Sequence, residues 1–186
     1  WDTSETDYRR ARHRYGAIHF HDDDLDDARW EVAFTLTVPT ELPSGLYAAR
    51  LRADDFEDYV PFVVRPSRGT ATSRIALVIP TFSYLAYGGT GTSAFRPLSL
   101  YSRHSDGSGV CYSSRLRPIT NMRPNIQTNN PWQFMADTHL IDWLEGKGFD
   151  VDVVTDDDLH SEGASLLAPY AAVLTATHPE YYSLAM

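Results

Sequence analysis

Three segments of this chain concentrate residue types that can do chemistry. One runs Thr81-Phe82-Ser83-Tyr84-Leu85-Ala86-Tyr87-Gly88-Gly89 and another runs Thr177-His178-Pro179-Glu180-Tyr181. Between them lies Ser99-Leu100-Tyr101-Ser102-Arg103-His104-Ser105-Asp106-Gly107-Ser108-Gly109, a loop whose hydroxyls, glycines, His104 and Asp106 suit a wall shaped around a ligand. The first and last of these along the chain hold Tyr, His and Glu where a site beyond the carboxyl ends of sheet strands would be built. The competing reading is structural. The tyrosines pack, Glu180 favours the start of a following helix, and the Ser99–Gly109 loop holds ordinary Asp-Gly turns.

Two other clusters are poorer candidates. Cys111 sits in Gly109-Val110-Cys111-Tyr112-Ser113, which resembles a nucleophile elbow with serine in place of the second glycine. An elbow needs a buried strand before it and a helix directly after, and neither is legible there. The run His19-Phe20-His21-Asp22-Asp23-Asp24 could bind a metal, but it lies in the β region and a solvated acidic loop is the better reading. Gly88-Gly89-Thr90-Gly91-Thr92 lacks the lysine of a phosphate-binding loop.

The elements that would position these residues change character along the chain. Residues 1–66 read as β structure, the partial edge of a sandwich. Val32, Phe34, Leu36 and Val38 alternate as in a half-buried strand, and Leu46–Leu51 and Tyr59–Val64 follow between Pro and Gly punctuation. Residues 67–73 read as a small polar linker. Residues 74–186 then read as the N-terminal part of an α/β domain. Ile75–Ile79 is a continuous apolar run, as in a strand covered on both faces. Residues 81–130 read as an irregular insertion. A helix capped by Asn130 with Pro131 at its first position follows, with Phe134, Thr138, Ile141 and Glu145 on one stripe. Strands at 149–154 and 171–176 complete an open parallel sheet, the two segments rich in Tyr, His and Glu leaving the carboxyl ends of its strands.

Composition sets bounds. The chain has 186 residues, a formal charge of −9 and a 42% hydrophobic content. That is one large domain or two small ones with enough apolar material for a core. Excess acid argues against nucleic acid as a partner, and no run approaches the length of a membrane helix. A single cysteine permits no intrachain disulfide and suits a reducing compartment, so we expect a cytoplasmic chain. It opens Trp1-Asp2-Thr3 and reads as an internal fragment of a longer protein.

Taken in order, Ala86-Tyr87-Gly88, Ser99-Leu100-Tyr101, His104-Ser105-Asp106-Gly107-Ser108-Gly109 and His178-Pro179-Glu180-Tyr181 resemble the large (beta) subunit family of N,N-dimethylformamidase. So does the preceding stretch from Pro43-Ser44-Gly45-Leu46-Tyr47 to Phe62-Val63-Val64-Arg65-Pro66. The resemblance implies a hydrolase with a mononuclear ferric site, Fe(3+), held by two tyrosines and a glutamate. The domain carrying it would be similar to class I glutamine amidotransferases. Carried over by motif, the ligands are Tyr101, Glu180 and Tyr87, with Tyr84 a rival for the third place. His178 stands beside the metal as the catalytic histidine, and His104 and Asp106 fall to substrate binding.

That donor set is chemically coherent. A phenol, with a pKa near 10, ligates only when a strongly charged hard ion displaces its proton. The implied partners are a small-molecule amide, a small subunit and further copies of the parent protein. Two rival readings stand beside this one: a non-catalytic relative whose β-sandwich binds carbohydrate or protein, and an amidase dependent on Cys111.

Overall fold

The computed structural model describes residues 7, 9–10, 27, 29–88, 99–104, 106–110, 114–116, 119, 121–124 and 132–186. They contain two sheets. The first is a two-stranded antiparallel ribbon of β1 (Gly45–Ala53) and β2 (Phe56–Val64), turned at Asp54 and Asp55, in register from Gly45 opposite Val64 to Ala53 opposite Phe56. Asp54 takes a positive φ of 50° in that turn, a backbone region in which Asp is better tolerated than most residues. Pro61 lies within β2; a two-stranded ribbon leaves each strand an open edge where its missing N–H costs little.

The second sheet is parallel. Its strands are β3 (Ile75–Ile79), β4 (Asp152–Thr155) and β5 (Ala172–Thr175), in the order β4-β3-β5. The central strand is the most apolar, and Ala76, Leu77, Val78 and Ile79 are all buried. After β3 comes α1 (Thr81–Ala86), and before β4 comes α2 (Phe134–Gly146). Between β4 and β5 lie α3 (Asp156–Glu162) and a short 3₁₀ turn at Gly163–Leu166. The N-terminus of α3 is closed by a capping box. Thr155 accepts from the Asp158 backbone N–H, and Asp158 accepts in return from the Thr155 N–H. Gly148, at φ +75°, supplies the left-handed residue that ends α2.

One core cluster joins both sheets and α2. Leu77, Ile79, Tyr84, Phe134, Leu144 and Val153 form its buried part, with Leu46 and Val63 of the ribbon packed against it. Polar ties add to this docking. Ser44 Oγ accepts from the Val153 N–H at 2.8 Å, and Arg65 donates to Asp158 at 2.9 Å and to Glu162 at 2.6 Å. Buried Asp152 accepts from the N–H groups of Thr72 (2.7 Å) and Ser73 (3.1 Å), tying the 67–73 segment to the start of β4.

Three sequence expectations need correcting. Residues 32–38 form no strand: Val32, Phe34, Leu36 and Val38 are all exposed, and no described segment pairs with them. Alternation prepares a strand, but only a neighbour supplying ladder hydrogen bonds makes one. The stretch after Pro80 is not irregular at its start, since α1 occupies Thr81–Ala86. Finally, α2 begins at Phe134 with Gln133 at its N-cap, and its buried side carries Phe134, Asp137 and Leu144 rather than the stripe through Thr138 and Glu145. Asn130 and Pro131 lie outside the described residues.

Candidate functional site

Two chain segments leave the carboxyl edge of the parallel sheet side by side. Past β3, α1 carries Ser83 and Tyr84 inward and releases Tyr87 just beyond its last turn. Past β5, the chain runs through Thr177, His178, Pro179, Glu180 and Tyr181 without forming a helix, so Glu180 heads no helix as the structural reading required. The buried Ser83 hydroxyl pins the second segment to the first by accepting from the N–H groups of Glu180 (2.9 Å) and Tyr181 (3.2 Å). Asp137 of α2 braces both from below. It accepts from the Tyr84 hydroxyl on one oxygen, and from the Thr177 N–H and hydroxyl, each at 2.7 Å, on the other.

These anchors bring Tyr87, Tyr101 and Glu180 together. The Tyr87 hydroxyl donates to Glu180 at 2.5 Å, and the Tyr101 hydroxyl donates to the Tyr87 oxygen at 2.8 Å. The Tyr87 and Tyr101 rings stack with centroids 4.6 Å apart. A turn built on Ser99 holds Tyr101, with Ser99 Oγ accepting from its N–H at 3.2 Å. His178 Nε2 lies 2.9 Å from the same Glu180 oxygen that Tyr87 reaches. An ionised carboxylate only accepts, so Nε2 is the donor in this bond. Trp132 stands edge-on to Tyr87 at 4.8 Å and to His178 at 5.7 Å.

Tyr84 is elsewhere. It is fully buried, meets Phe134 edge-to-face at 5.9 Å, and its hydroxyl is committed to Asp137. Burial, with Asp137 beside it, holds its proton far more firmly than an ordinary phenol does. Of the two candidate substrate residues, His104 is buried in a tight loop where its N–H donates to Ser108 O at 2.9 Å. Asp106 accepts from the Ser108 N–H and hydroxyl, at 2.9 and 2.6 Å, in a local turn. Cys111, His19, His21 and Asp22–Asp24 lie outside the described residues.

The family model described as N,N-dimethylformamidase beta subunit-like, C-terminal, matches residues 1–186. The chain belongs to that family. Two proteins named N,N-dimethylformamidase beta subunit, from an Alcaligenes species and from Paracoccus aminophilus, are each 42% identical to it over 214 residues. The match takes in all of this chain and 28% of each relative. The aligned span exceeds the 186 residues of the chain, so the relatives carry extra residues within it.

At the cluster of this dimethylformamidase-like chain, the phenol and the carboxylate are shifted in opposite directions. Half-burial, reinforced by the bond to Glu180, raises the pKa of Tyr87, whereas donation from Tyr87 and then from His178 lowers that of Glu180. In this network the Glu180 carboxylate accepts from both Tyr87 and His178. The Tyr87 oxygen lies 2.5 Å from Glu180 and 2.8 Å from the Tyr101 oxygen, near the roughly 3 Å spacing of ligands on one small ion with metal–oxygen distances near 2 Å. All-oxygen donors of this type fit a trivalent hard ion better than zinc. Among the described residues, no group of three or more His, Cys, Asp and Glu is placed to hold a metal. A cation here would rest on phenol oxygens as well as carboxylate.

Sequence reasoning missed Ser83, Trp132, Asp137 and Tyr181. Asp137 had a signal, an acid spaced i+3 after Phe134 and i−7 before Leu144, on what proves to be the inner side of the helix. Ser83 had none, because its role depends on a segment 97 residues away.

Proposed function

We propose that this chain carries the metal-binding part of an amide hydrolase that converts a small N-alkyl amide and water to an amine and a carboxylate. Tyr87, Tyr101 and Glu180 would hold a ferric ion, and the observation that carries the reading is their hydrogen-bonded convergence at the carboxyl edge of β3 and β5. The resemblance of the α/β part to class I glutamine amidotransferases belongs to the same proposal. The bound ion would supply Lewis acidity, polarising the amide carbonyl and acidifying water. Around it, Glu180 keeps the imidazole of His178 oriented with Nδ1 as the basic nitrogen. Nδ1 takes a proton from the water whose oxygen bonds to the carbonyl carbon, and returns it to the amine nitrogen as the C–N bond breaks. Trp132 and the stacked tyrosine rings offer an apolar wall to alkyl groups. The name of the relatives makes a companion subunit the expected partner of the full-length protein.

The test is amine release from N,N-dimethylformamide by the full-length protein, measured beside its iron content. We expect stoichiometric iron, a visible tyrosinate-to-iron absorption band, and activity lost on chelation and restored by iron. Full activity in iron-free protein would overturn the proposal.

A further inference from the structure

Tyr181 belongs to the cluster, and the arithmetic of its protons gives it a specific task. Its oxygen is hydrogen-bonded to that of Tyr101. Geometry alone leaves open which of the two donates. A phenol has one proton to give, and Tyr87 gives its own to Glu180, which as a carboxylate can only accept. Tyr101 gives its proton to Tyr87. The remaining bond is therefore made by the Tyr181 proton, and the chain of donors runs Tyr181 to Tyr101 to Tyr87 to Glu180.

Tyr181 is also well anchored for this. Its backbone N–H donates to buried Ser83 Oγ at 3.2 Å, and its ring stands edge-on to Tyr87 at 5.9 Å. Tyr101, by contrast, is 52% exposed and hangs on a turn outside the sheet. A half-exposed phenol with free rotation about two side-chain bonds needs something to aim it. The stack on Tyr87 sets its plane, and the Tyr181 hydroxyl fixes where its oxygen sits.

We propose that Tyr181 is a positioning residue for Tyr101, its hydroxyl donating the hydrogen bond that, with the ring stack on Tyr87, aims the Tyr101 oxygen into the cluster. The inference rests on the proposed metal site for its chemical purpose, and on the donor chain for its geometry. Tyr181 lies outside the proposed ligand set, so its hydrogen bond reaches Tyr101 without competing for the ion. Such outer partners orient a ligand and withdraw charge from it, which tunes the ion as well as its seat.

Tyr181→Phe in the full-length protein, loaded with iron, tests this. Loss of the donor leaves the Tyr101 phenolate richer in electrons, so the tyrosinate-to-iron band should move to longer wavelength while iron remains bound. Turnover should fall about tenfold with KM little changed. Tyr182→Phe, whose hydroxyl donates to the Pro179 carbonyl at 3.1 Å, is the matched control and should leave the band in place. A band present in the unaltered protein and unmoved in Tyr181→Phe would overturn the role of Tyr181 while leaving the iron site standing. A second measurement needs no metal. Fluorotyrosine placed at position 101 should give a sharp fluorine resonance that broadens or splits in Tyr181→Phe. Should the unaltered protein show no tyrosinate band at all, the iron reading fails, and this resonance still decides the geometry: a change supports the tether, and an unchanged line overturns it.

Discussion

Tyr84 and Tyr87 stand three residues apart, and each hydroxyl donates to a carboxylate brought from far along the chain. Tyr84 meets Asp137 inside the core, where both are fully buried and the same carboxylate also gathers the Thr177 N–H and hydroxyl. Tyr87 meets Glu180 at the open edge, beside His178 and Tyr101. The chemistry of the two pairs is the same, and their surroundings give them different work. Inside, the phenol keeps its proton and the pair is a brace whose value lies in leaving no buried polar group unmatched. At the edge, water and ions can compete for the carboxylate, and two more oxygen groups lie within reach. The brace holds still what the edge pair presents.

Five expected outcomes, from the largest effect to the smallest, would break or sharpen this contrast. Glu180→Gln in the full-length protein keeps the size of the side chain but removes its charge. Iron content and amide hydrolysis should both collapse, while denaturant unfolding of the protein barely shifts; retained iron with full turnover would erase the distinction between edge and brace. His178→Ala removes a neighbour of Glu180 rather than a proposed ligand. Iron and its absorption band should persist while turnover drops roughly 10²–10⁴-fold, the range of a lost general base. Loss of iron along with activity would instead make His178 part of the metal's seat.

The brace should answer in stability. Asp137→Ala strands the Tyr84 hydroxyl in the core and releases Thr177, which should lower unfolding free energy by about 3 kcal/mol. Tyr84→Phe removes only one of the donors and should cost about 1 kcal/mol with iron binding intact. If Tyr84→Phe emptied the site without destabilising the fold, Tyr84 and not Tyr87 would be the ligand.

The smallest effect concerns Asp156, a buried carboxyl at the start of α3 that accepts from the Phe82 N–H at 3.1 Å. Burial, aided by Asp157, pushes its pKa from 3.8 up to about 6. The folded chain then binds a proton that the unfolded chain releases, so this group's contribution declines as pH rises from 3.8 to about 6 and stays unfavourable above. Asp156→Asn keeps an oxygen for Phe82 and should flatten that slope, with a gain on the order of 1 kcal/mol at neutral pH. A slope unchanged in the variant would assign the pH dependence to other carboxylates.

Much of the frame was written in local pattern. The apolar run Ile75–Ile79 became the central strand because five consecutive β-branched or aliphatic residues can be satisfied only between two neighbours. Gly148 ended its helix, and the Tyr, His and Glu of the 81–89 and 177–181 segments could be placed at the carboxyl edge from strand order alone. The order of motifs was enough to point to the family. Which of Tyr84 and Tyr87 joins Glu180 was a tertiary matter, since two tyrosines three residues apart differ only in what each finds across the gap. The same holds for Asp137 and Ser83, whose partners Thr177, Glu180 and Tyr181 are 40 to 98 residues distant. Residues 32–38 make the point from the other side: their alternation is that of a strand, but strand pairing is a property of two segments, and no described segment lies beside them. Local pattern determines what a segment is able to become, and long-range hydrogen bonds and burial decide which of those possibilities the molecule keeps.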